Sequence, residues 1–591
     1  MAYQTLIDFT DPQDGAAPRL RCAFGAPRQV LEARTPGEVR AVLEAVQAAA
    51  QQGAWCVGGL RYEAASAFDA ALQTHPADGP LAWFAVHAAP QPWPELPPPA
   101  DAPVLQWQSP LERETFDAAL ETIHQDIASG AYYQVNYTAP LQATLQGGGP
   151  QAIPALFGAL QRAQPGGYAA CIDMGAEQVL SVSPELFFDW RAMPDGSGDI
   201  LTRPMKGTAP RGATPAQDAA QAEGLRQSPK ERAENVMIVD LLRNDLSRIA
   251  APHSVQVPRL FHTEPLPAVW QMTSDVQART RPGTRLVDVW AALFPCGSVT
   301  GAPKARAMQA IRALEGGPRG FYCGALGLVR PDGAGGIRAT FNVPIRTVVL
   351  RGAQAACGIG SGITAEATAD AEWNEWRHKR AFVERASAPF DILETLRLEG
   401  GQFRNLDEHL ARMQQAATHF NHPWDGAAVH QCLQNLAARH PQGAWRVRLL
   451  VDPAGVLCAE AFALQPTPEP VRLRLADRPL REAHSEFVCH KTTRRAHYAA
   501  FAPQEPGVFD TVLWNEEGEI TESTFGNIAM LLDGRWVTPP LACGLLPGVG
   551  RAVALREGRV QEAVVRLSDV PRVQGWAFIN SLRGWLTAEI A

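Results

Sequence analysis

In the stretch Thr202-Arg203-Pro204-Met205-Lys206-Gly207-Thr208, one lysine stands close to a proline and a glycine, inside a run that otherwise predicts a β-strand and a tight turn. A solvent-exposed lysine is protonated and unreactive, and only burial or a neighbouring cation makes its amine available for covalent chemistry. The heptapeptide alone is equally compatible with a surface turn that carries a solvated lysine. The neighbouring motifs therefore have to decide between a nucleophile and a surface residue.

Lys206 belongs to an ordered series of motifs. The others are Ser183-Pro184-Glu185-Leu186-Phe187-Phe188, the segment 230–245 (KERAENVMIVDLLRND), Gly297-Ser298-Val299-Thr300-Gly301-Ala302-Pro303-Lys304, Arg319-Gly320-Phe321-Tyr322-Cys323-Gly324, Val343-Pro344-Ile345-Arg346-Thr347, and Gly358-Ile359-Gly360-Ser361-Gly362-Ile363 leading to Glu372, Glu375 and Lys379. In this order and spacing they resemble the chorismate-utilising enzymes, which include anthranilate synthase component I, aminodeoxychorismate synthase component I, and the isochorismate and salicylate synthases.

The composition is that of a soluble globular enzyme. The chain has 591 residues, 46% of them hydrophobic and 19% charged, which predicts two or three domains with ample apolar surface to bury. A net charge of -8 without a lysine and arginine block gives nucleic-acid binding little support. The ten cysteines are scattered singly, the N-terminus has no basic region followed by an apolar run, and no apolar stretch reaches eighteen residues. We therefore expect a cytoplasmic protein that binds neither nucleic acid nor a membrane.

Local patterns outline the domains. Helices are predicted at 37–51, at 111–129 and, rich in charge, at 372–385, and a strand at 133–141. Seven prolines between residues 89 and 103 predict an extended crossing loop that cannot pair as a central strand. Composition changes near residues 386–389. We predict a first domain at 1–384, with an N-terminal portion at 1–105 and a catalytic core at 106–384, and a second domain at 385–591.

The second domain carries another set of motifs. They are Phe390-Asp391-Ile392-Leu393-Glu394-Thr395-Leu396-Arg397, His409-Leu410-Ala411-Arg412-Met413, Cys489-His490-Lys491-Thr492-Thr493, Thr521-Glu522-Ser523-Thr524-Phe525-Gly526-Asn527-Ile528, and Gly544-Leu545-Leu546-Pro547-Gly548-Val549-Gly550-Arg551. Together they resemble the fold-type IV pyridoxal-phosphate enzymes, which include branched-chain aminotransferases and aminodeoxychorismate lyases. Relatives usually begin with a strand and a glycine-rich run that this chain lacks before Phe390, which places cofactor retention in question.

The two resemblances imply an α+β fold class. The first domain is expected to be a two-sheet sandwich with flanking helices, as in chorismate-utilising enzymes. The second is expected to be a fold-type IV, aminotransferase class IV-like domain that binds pyridoxal 5'-phosphate.

Four glutamates form the predicted metal site. Glu231 and Glu234 are three residues apart, as are Glu372 and Glu375, so each pair projects from one helix face. Carboxylate oxygens suit Mg²⁺, which usually keeps several waters and bridges to an anionic substrate. The residues alone also fit solvated helix faces, whereas the resemblance implies Glu234 and Glu375 as direct ligands and the other two as direct or water-mediated ones.

The resemblance also implies a site for chorismate, a dicarboxylate that needs cations and backbone donors. The residues expected to bind it are Arg346, Tyr322, Thr300, Lys379, and the amides around Gly360 and Gly362. Where many relatives have a histidine, this chain has Gln271, which we expect to contact substrate without titrating.

Three residues are implied in catalysis. Glu185 is expected to protonate the departing C4 hydroxyl, which requires a carboxyl kept neutral by burial. Gln134 occupies the position where isochorismate and salicylate synthases have a water-activating lysine, so it indicates an ammonia user. Anthranilate synthases usually carry alanine where this chain has Lys206, and aminodeoxychorismate synthases carry lysine, which is implied to attack C2 of chorismate.

In the second domain the resemblance implies a cofactor lysine, an acidic partner for the pyridinium nitrogen and a phosphate cup. Lys491 takes the first role and is also expected to move the catalytic proton. Glu522 takes the second, supported by Asn527. The cup is formed by Arg412 and the segment 546–551, with Val549 and Gly550, and Thr395 is expected to line the substrate pocket.

These implications combine into para-aminobenzoate synthesis for folate. Chorismate and ammonia would form 4-amino-4-deoxychorismate, and the second domain would eliminate pyruvate to give 4-aminobenzoate. No Gly-x-Cys-x-Gly-x-Gln run is present, so a separate glutamine amidotransferase is the expected ammonia source, and a homodimer through the second domain is possible. Two alternatives stay open for that domain: an aminotransferase of branched-chain or D-amino acids, and a non-catalytic module.

Overall fold

The structure, a computed structural model, describes residues 4–98, 102–147, 149, 151–212, 215–266 and 269–591. The chain divides into two compact units, Met1–Ala388 and Pro389–Ala591. Among the described residues no helix is both long and apolar enough to cross a membrane.

The first unit contains two sheets of ten strands each among its described residues. The first sheet has the order Gly301–Ala302, Gln134–Gln146, Gln354–Ile363, Thr347–Arg351, Gln178–Ser183, Tyr168–Asp173, Thr5–Phe9, Leu20–Phe24 and Gln91–Pro92, with Val104–Leu105 beside Gln134–Gln146. The second has the order Met205–Pro210, Val269–Thr280, Gly198–Arg203, Leu186–Ala192, Ile337–Asn342, Ala325–Pro331, Trp55–Leu60, Ala82–His87 and Gln29–Ala33, with Gln256–Pro265 beside Val269–Thr280.

The two sheets pack face to face as a sandwich. The apolar layer between them takes Ile7, Phe9 and Phe24 from the first sheet and Val57, Leu201 and Leu326 from the second, all almost fully buried. Two further apolar cores lie on the outer faces, where helices cover the sheets. The helices are Pro36–Gln51, Arg113–Ala128, Ala152–Ala163, Pro215–Gln227, Pro229–Ser247, Leu286–Leu293, Lys304–Leu314, Ala369–Lys379 and Ala381–Ala386, with 3₁₀ turns at Tyr62–Ala67 and Gly297–Val299.

The sequence-based elements of this unit are largely present, with three differences. The strand predicted at 133–141 extends to Gln146, because its second half continues in register with Gln354–Ile363. The charged helix predicted at 372–385 is divided at Arg380 into two helices. Within the proline-rich segment, Gln91–Pro92 pairs with Leu20–Phe24 at the edge of its sheet, which is where proline is tolerated in a ladder. Residues 99–101 of that segment lie outside the described residues.

The second unit contains a four-stranded and an eight-stranded sheet among the described residues. The small sheet has the order Gln402–Phe403, Ile392–Glu399, Ala444–Val451 and Leu457–Ala463, and the larger one Ile520–Ser523, Asp510–Trp514, Val471–Leu475, Gly584–Ile590, Gly575–Asn580, Asn527–Leu532, Arg535–Thr538 and Gln561–Glu562. The helices are Leu406–Phe420, Gly426–Arg439, Glu486–Cys489, Ala496–Ala499 and Val549–Arg556, with 3₁₀ turns at Leu541–Cys543 and Leu567–Arg572. The strand Ile392–Glu399 begins almost directly at the start of this unit.

Candidate active sites

Lys206 lies in the first unit beside two residues of the opposite sheet. It belongs to the strand Met205–Pro210 of the second sheet, and it faces Gly362 of the first sheet. A Cβ atom on Gly362 would lie 2.9 Å from Lys206 Nζ and would collide with Gln134 Nε2. Glycine at this position therefore allows the lysine and the glutamine to approach the same point of the strand.

Gln134 and Glu185 are buried polar side chains with unused hydrogen-bonding capacity. Gln134 is 1% exposed, and neither atom of its amide has a protein partner among the described residues. Glu185 is 3% exposed, and its Oε1 likewise has none. Burial raises the pKa of Glu185 to about 7, opposed by the Ser298 hydroxyl and the charge of Lys206. Buried polar atoms are normally hydrogen-bonded, so this pattern is typical of a site that receives a polar ligand.

A cationic wall borders the same space. Lys379 Nζ donates to the Gly360 carbonyl at 2.9 Å and pairs with Glu375 Oε1 at 2.6 Å. Arg346 has a left-handed backbone (φ 52°), and its guanidinium donates to the Lys379 carbonyl and covers the Phe382 ring. Burial lowers the pKa of Arg346 to about 10 and also lowers that of Lys379. Among the described residues the wall thus pairs two half-buried cations with one close carboxylate, that of Glu375, a surplus of positive charge that suits an anionic ligand.

The other residues expected to bind substrate differ in their contacts. Tyr322 is buried with its ring against Gly358, where any Cβ would collide with it. Thr300 is fully buried, and its hydroxyl donates to the Cys296 carbonyl at 3.1 Å. Gln271 donates from its amide nitrogen to the Gly207 carbonyl at 2.9 Å, so it braces the irregular strand that carries Lys206. This bracing was not visible in the sequence, because Thr208 and Gln271 meet only through strand pairing.

The four predicted metal ligands lie on two helices, Pro229–Ser247 and Ala369–Lys379. Glu231 packs against Gly207, the residue after Lys206, since a Cβ on Gly207 would lie 2.7 Å from Glu231 Oε2. Burial raises the pKa of Glu231, and the charges of Glu234 and Glu375 raise it further. Burial raises the pKa of Glu372 as well, with Glu375 adding to it. Destabilised carboxylates with hard oxygen donors fit a divalent cation such as Mg²⁺ chemically.

These carboxylates are not gathered around one point in this structure. Glu372 accepts a hydrogen bond from Ser361, and Glu375 is engaged with Lys379. Across the described part of the chain, no group of three or more histidine, cysteine, aspartate or glutamate side chains is close enough to hold an ion. Glu375 Oε1 is therefore occupied by the Lys379 ammonium in this structure.

A cavity of about 380 Å³ in the second unit contains most of the predicted cofactor residues. Lys491, Glu522, Arg412, Asn527, Val549 and Thr395 line it. Gly550 does not, but it lies against the backbone of Asn580 and Ser581 in the same wall, where a Cβ would collide.

Lys491 and Glu522 have strongly shifted acidities. Burial, assisted by the charges of Arg495 and Arg412, lowers the pKa of Lys491 to about 7. Burial raises the pKa of Glu522 to about 7, although its carboxylate accepts from Tyr498 Oη at 2.6 Å and from the Leu546 amide at 3.1 Å. A lysine that is half-neutral near pH 7 can react with an aldehyde, so the pair fits a pyridoxal cofactor.

Two predicted cofactor residues have contacts that the sequence did not predict. Arg412 pairs through Nε and Nη2 with both oxygens of Glu394, at 2.7 and 2.8 Å, and a third nitrogen donates to the Pro547 carbonyl. Asn527 donates to the Leu546 carbonyl at 3.0 Å rather than to Glu522. It therefore supports Glu522 indirectly, because Glu522 accepts from the amide of the same Leu546.

Glu394, His409 and Ser581 form a buried hydrogen-bonded chain in this cavity that the sequence did not predict. His409 Nδ1 contacts Glu394 Oε2 at 2.7 Å and its Nε2 contacts Ser581 Oγ at 2.8 Å. Although burial opposes it, Arg412 and His409 hold the pKa of Glu394 well below its usual range. His409 stands in the quoted motif with Arg412, but Ser581 is 172 residues away and no local pattern marks it.

The first unit therefore presents a lysine, a buried acid and a cationic wall between two sheets, an arrangement that suits a small anionic ligand. Residues 10–385 match the family model of chorismate binding enzymes, and residues 391–589 match that of amino-transferase class IV. The chain belongs to the chorismate binding enzyme family, and its second unit is an aminotransferase class IV-like domain.

Individual relatives agree with this assignment. The chain is 42% identical over 269 residues to aminodeoxychorismate synthase component 1 of Klebsiella aerogenes, covering 46% of this chain and 57% of that one. It is 39% identical to the Escherichia coli K12 protein of the same name (46% and 56%) and 36% identical to an anthranilate synthase component 1 of Haloarcula marismortui (48% and 56%). The chain thus spans little more than half the length of these curated relatives.

Solved structures support the fold. Anthranilate synthase component I from Streptococcus pneumoniae aligns with a TM-score of 0.50 at 23% identity, over 65% of this chain and 91% of that one. The menaquinone-specific isochorismate synthase of Escherichia coli aligns with a TM-score of 0.51 at 17% identity, over 66% and 89%. At such identities the likeness concerns the architecture alone.

Proposed function

We propose that the chain converts chorismate to 4-aminobenzoate in two steps. The first unit would form 4-amino-4-deoxychorismate with ammonia, and the second would eliminate pyruvate from that product. The observation that carries the first step is the meeting of Lys206 and Gln134 at Gly362, with the acid Glu185 buried beside them. The similarity to aminodeoxychorismate synthase component 1 proteins supports it.

In the first step, Lys206 Nζ adds to C2 of chorismate while the ring double bonds shift and the C4–oxygen bond breaks. Glu185 gives its proton to the departing oxygen, which leaves as water. Ammonia then adds at C4, the double bonds shift back, and the bond to Lys206 breaks. The amide of Gln134 is not basic and cannot activate water. Attack by water at C4 would therefore compete less with attack by ammonia.

The remaining residues of this site would bind and orient the substrate. Arg346 and Lys379 would hold its carboxylates, and the backbone amides around Gly360 and Gly362 would add donors. Mg²⁺ would be held by Glu234 and Glu375, with Glu231 and Glu372 as direct or water-mediated partners. There it would supply charge neutralisation next to a substrate carboxylate.

The second step would take place in the cavity around Lys491. Pyridoxal phosphate, when bound there, withdraws electrons from the substrate carbon that carries the amino group. Lys491 would remove the proton from that carbon, the bond between the ring and the enolpyruvyl oxygen would break, and the ring would become aromatic. The released enolpyruvate would take up a proton at its methylene carbon and leave as pyruvate. Glu522 would face the pyridine nitrogen, and its raised pKa suits a proton shared with that nitrogen. Ser581 and the start of Val549–Arg556 would receive the phosphate.

Product analysis tests both steps at once. The pure protein is incubated with chorismate, Mg²⁺, pyridoxal phosphate and an ammonium salt, and products are identified by mass spectrometry. We expect 4-aminobenzoate and pyruvate in equal amounts. Aminodeoxychorismate alone would overturn the second step, and anthranilate would overturn the role of Lys206.

Ammonia would come from a separate glutamine amidotransferase. We expect a matching glutaminase to make the reaction glutamine-dependent, measured as 4-aminobenzoate formed per glutamine hydrolysed. No gain over free ammonium at any glutaminase concentration would contradict this partner.

A further inference from the structure

The cofactor cavity of the second unit holds more positive charge than a single phosphate needs. Four arginines line it together with Lys491. Arg412 is neutralised by Glu394. The other three, Arg446, Arg495 and Arg583, form no ion pair with a carboxylate among the described residues.

Arg446 and Arg583 form a pair within this set. Arg446 projects from the strand Ala444–Val451 and lies over the Phe462 ring, 4.9 Å from its centroid. Arg583 donates from Nε to Thr467 Oγ1 at 2.9 Å. Burial and the nearby charge of Arg446 both lower the pKa of Arg583, which places the two cations within electrostatic reach of each other.

Two like charges at one cavity wall repel each other, and an anion bound between them replaces this repulsion with attraction. The hydroxyl and the aromatic ring that orient them are uncharged, so neither relieves the repulsion. Arg495 is held differently, by the Thr524 carbonyl at 2.5 Å and over the Tyr498 ring, beside Lys491. The positive charge that no carboxylate neutralises thus lies at two positions in the cavity. Arg495 and Lys491 form the first, and Arg446 and Arg583 form the second.

We propose that Arg446 and Arg583 bind the carboxylates of a dianionic substrate and make this cavity selective for dicarboxylates over apolar amino acids. The inference rests on the proposed function for the identity of the substrate, aminodeoxychorismate, which carries a ring carboxylate and an enolpyruvyl carboxylate. An apolar amino acid has one carboxylate and would leave one of the two arginines without an anionic partner, so the cavity would favour the dicarboxylate.

Steady-state kinetics of the cofactor-loaded full chain provide the first test. Arg446→Gln and Arg583→Gln should each raise KM for aminodeoxychorismate about tenfold or more, as expected for a lost charge-assisted hydrogen bond. The kcat should change less than about threefold, because neither side chain is assigned to proton transfer. Arg448→Gln is the matched control, since Arg448 is exposed on the same strand and does not line the cavity. Arg583→Lys should recover part of the lost affinity by restoring the charge.

Binding of an unreactive dianion separates this inference from the lyase proposal. Isophthalate and benzoate are titrated into the loaded protein, and the change in cofactor absorbance is followed. Isophthalate should bind at least about tenfold tighter than benzoate to the wild type, and the preference should vanish in Arg446→Gln and Arg583→Gln.

Each outcome has a distinct meaning. Variants that keep the wild-type preference for isophthalate would overturn the dicarboxylate site, whether or not the lyase is active. If the preference follows the variants but the wild type does not consume aminodeoxychorismate, the site stands and the proposed second step fails. An unchanged cofactor spectrum in each variant verifies that the cavity is intact, and Arg583→Lys decides the matter if Arg583→Gln does not fold.

Discussion

Glu185→Gln removes the proposed acid of the first step while keeping the shape of its side chain. Glu185 is 3% exposed, and burial raises its pKa to about 7. The neutral carboxyl is the form that can protonate the leaving hydroxyl, so the wild-type rate should fall as the pH rises through 7. At pH 6 about ten-elevenths of the carboxyl is protonated and at pH 8 about one-eleventh, which predicts roughly a tenfold decrease.

The assay measures kcat/KM for chorismate between pH 5.5 and 9. The concentration of free ammonia is held constant at every pH, because ammonium itself loses a proton over this range. Glu185→Gln should lower the rate by about 10²- to 10⁴-fold and leave a profile without the descending limb near pH 7. The loss should appear in kcat as well as in kcat/KM, since the proton moves only in the transition state.

Glu63 provides a matched control. Burial raises its pKa to about 7 as well, and its Oε1 accepts from the Arg319 and Gly320 amides rather than facing Lys206. Glu63→Gln should therefore keep the descending limb of the wild-type profile. A wild-type rate that stays level from pH 6 to 8, or a Glu185→Gln variant with more than about a tenth of wild-type activity, would refute the assignment.

Four further outcomes are expected. Lys206→Ala should abolish aminodeoxychorismate formation while supplied aminodeoxychorismate is still converted to 4-aminobenzoate. Lys491→Ala should do the reverse, accumulating aminodeoxychorismate and losing the yellow cofactor colour. When pyridoxal phosphate is added to the cofactor-free wild type, the fraction bound, measured by absorbance, should rise with pH and be half-maximal near pH 7, where Lys491 becomes neutral. Arg495→Gln should move this midpoint to higher pH, because the charge of Arg495 helps to lower the pKa of Lys491. The folded pKa of Glu63, about 7, lies above its ordinary 4.5, so the free energy of unfolding should fall as the pH rises from 4.5 through 7. Glu63→Gln should reduce this pH dependence, measured by denaturant unfolding, by at most about 3 kcal/mol. An unchanged dependence would count against the raised pKa.

Motif order predicted which residues would meet in the first unit, but not how they would be held. Lys206, Gln134 and Gly362 come together from separate segments as the resemblance implied. Gln271 braces the strand that carries Lys206, and this contact depends on pairing between two strands more than sixty residues apart. Such contacts leave no local periodicity, so sequence patterns cannot show them.

In the second unit the motif residues Lys491, Glu522 and Arg412 line one cavity, but the contacts of Arg412 could not be predicted. Arg412 was expected to contact phosphate, and the structure adds that Glu394 accepts hydrogen bonds from two of its nitrogens. Glu394 was also in a quoted motif, but nothing in its neighbours indicated that it would be fully buried. Arg583 had no signal at all, because its importance lies in facing another cation rather than in any pattern of its own.

The placement of Lys206 on one sheet and of Gln134 and Gly362 on the other makes the distance between the lysine and the opposite wall of its site a property of the whole sandwich. The apolar layer of Phe24, Leu201 and Leu326 acts as a spacer, and its thickness sets how closely the lysine approaches its partners. A shift of about 1 Å in a reacting group can slow catalysis about a hundredfold. Random mutagenesis should therefore recover variants with substitutions in this spacer that fold and bind substrate but react slowly. Second-site substitutions that restore their activity should restore side-chain volume rather than charge.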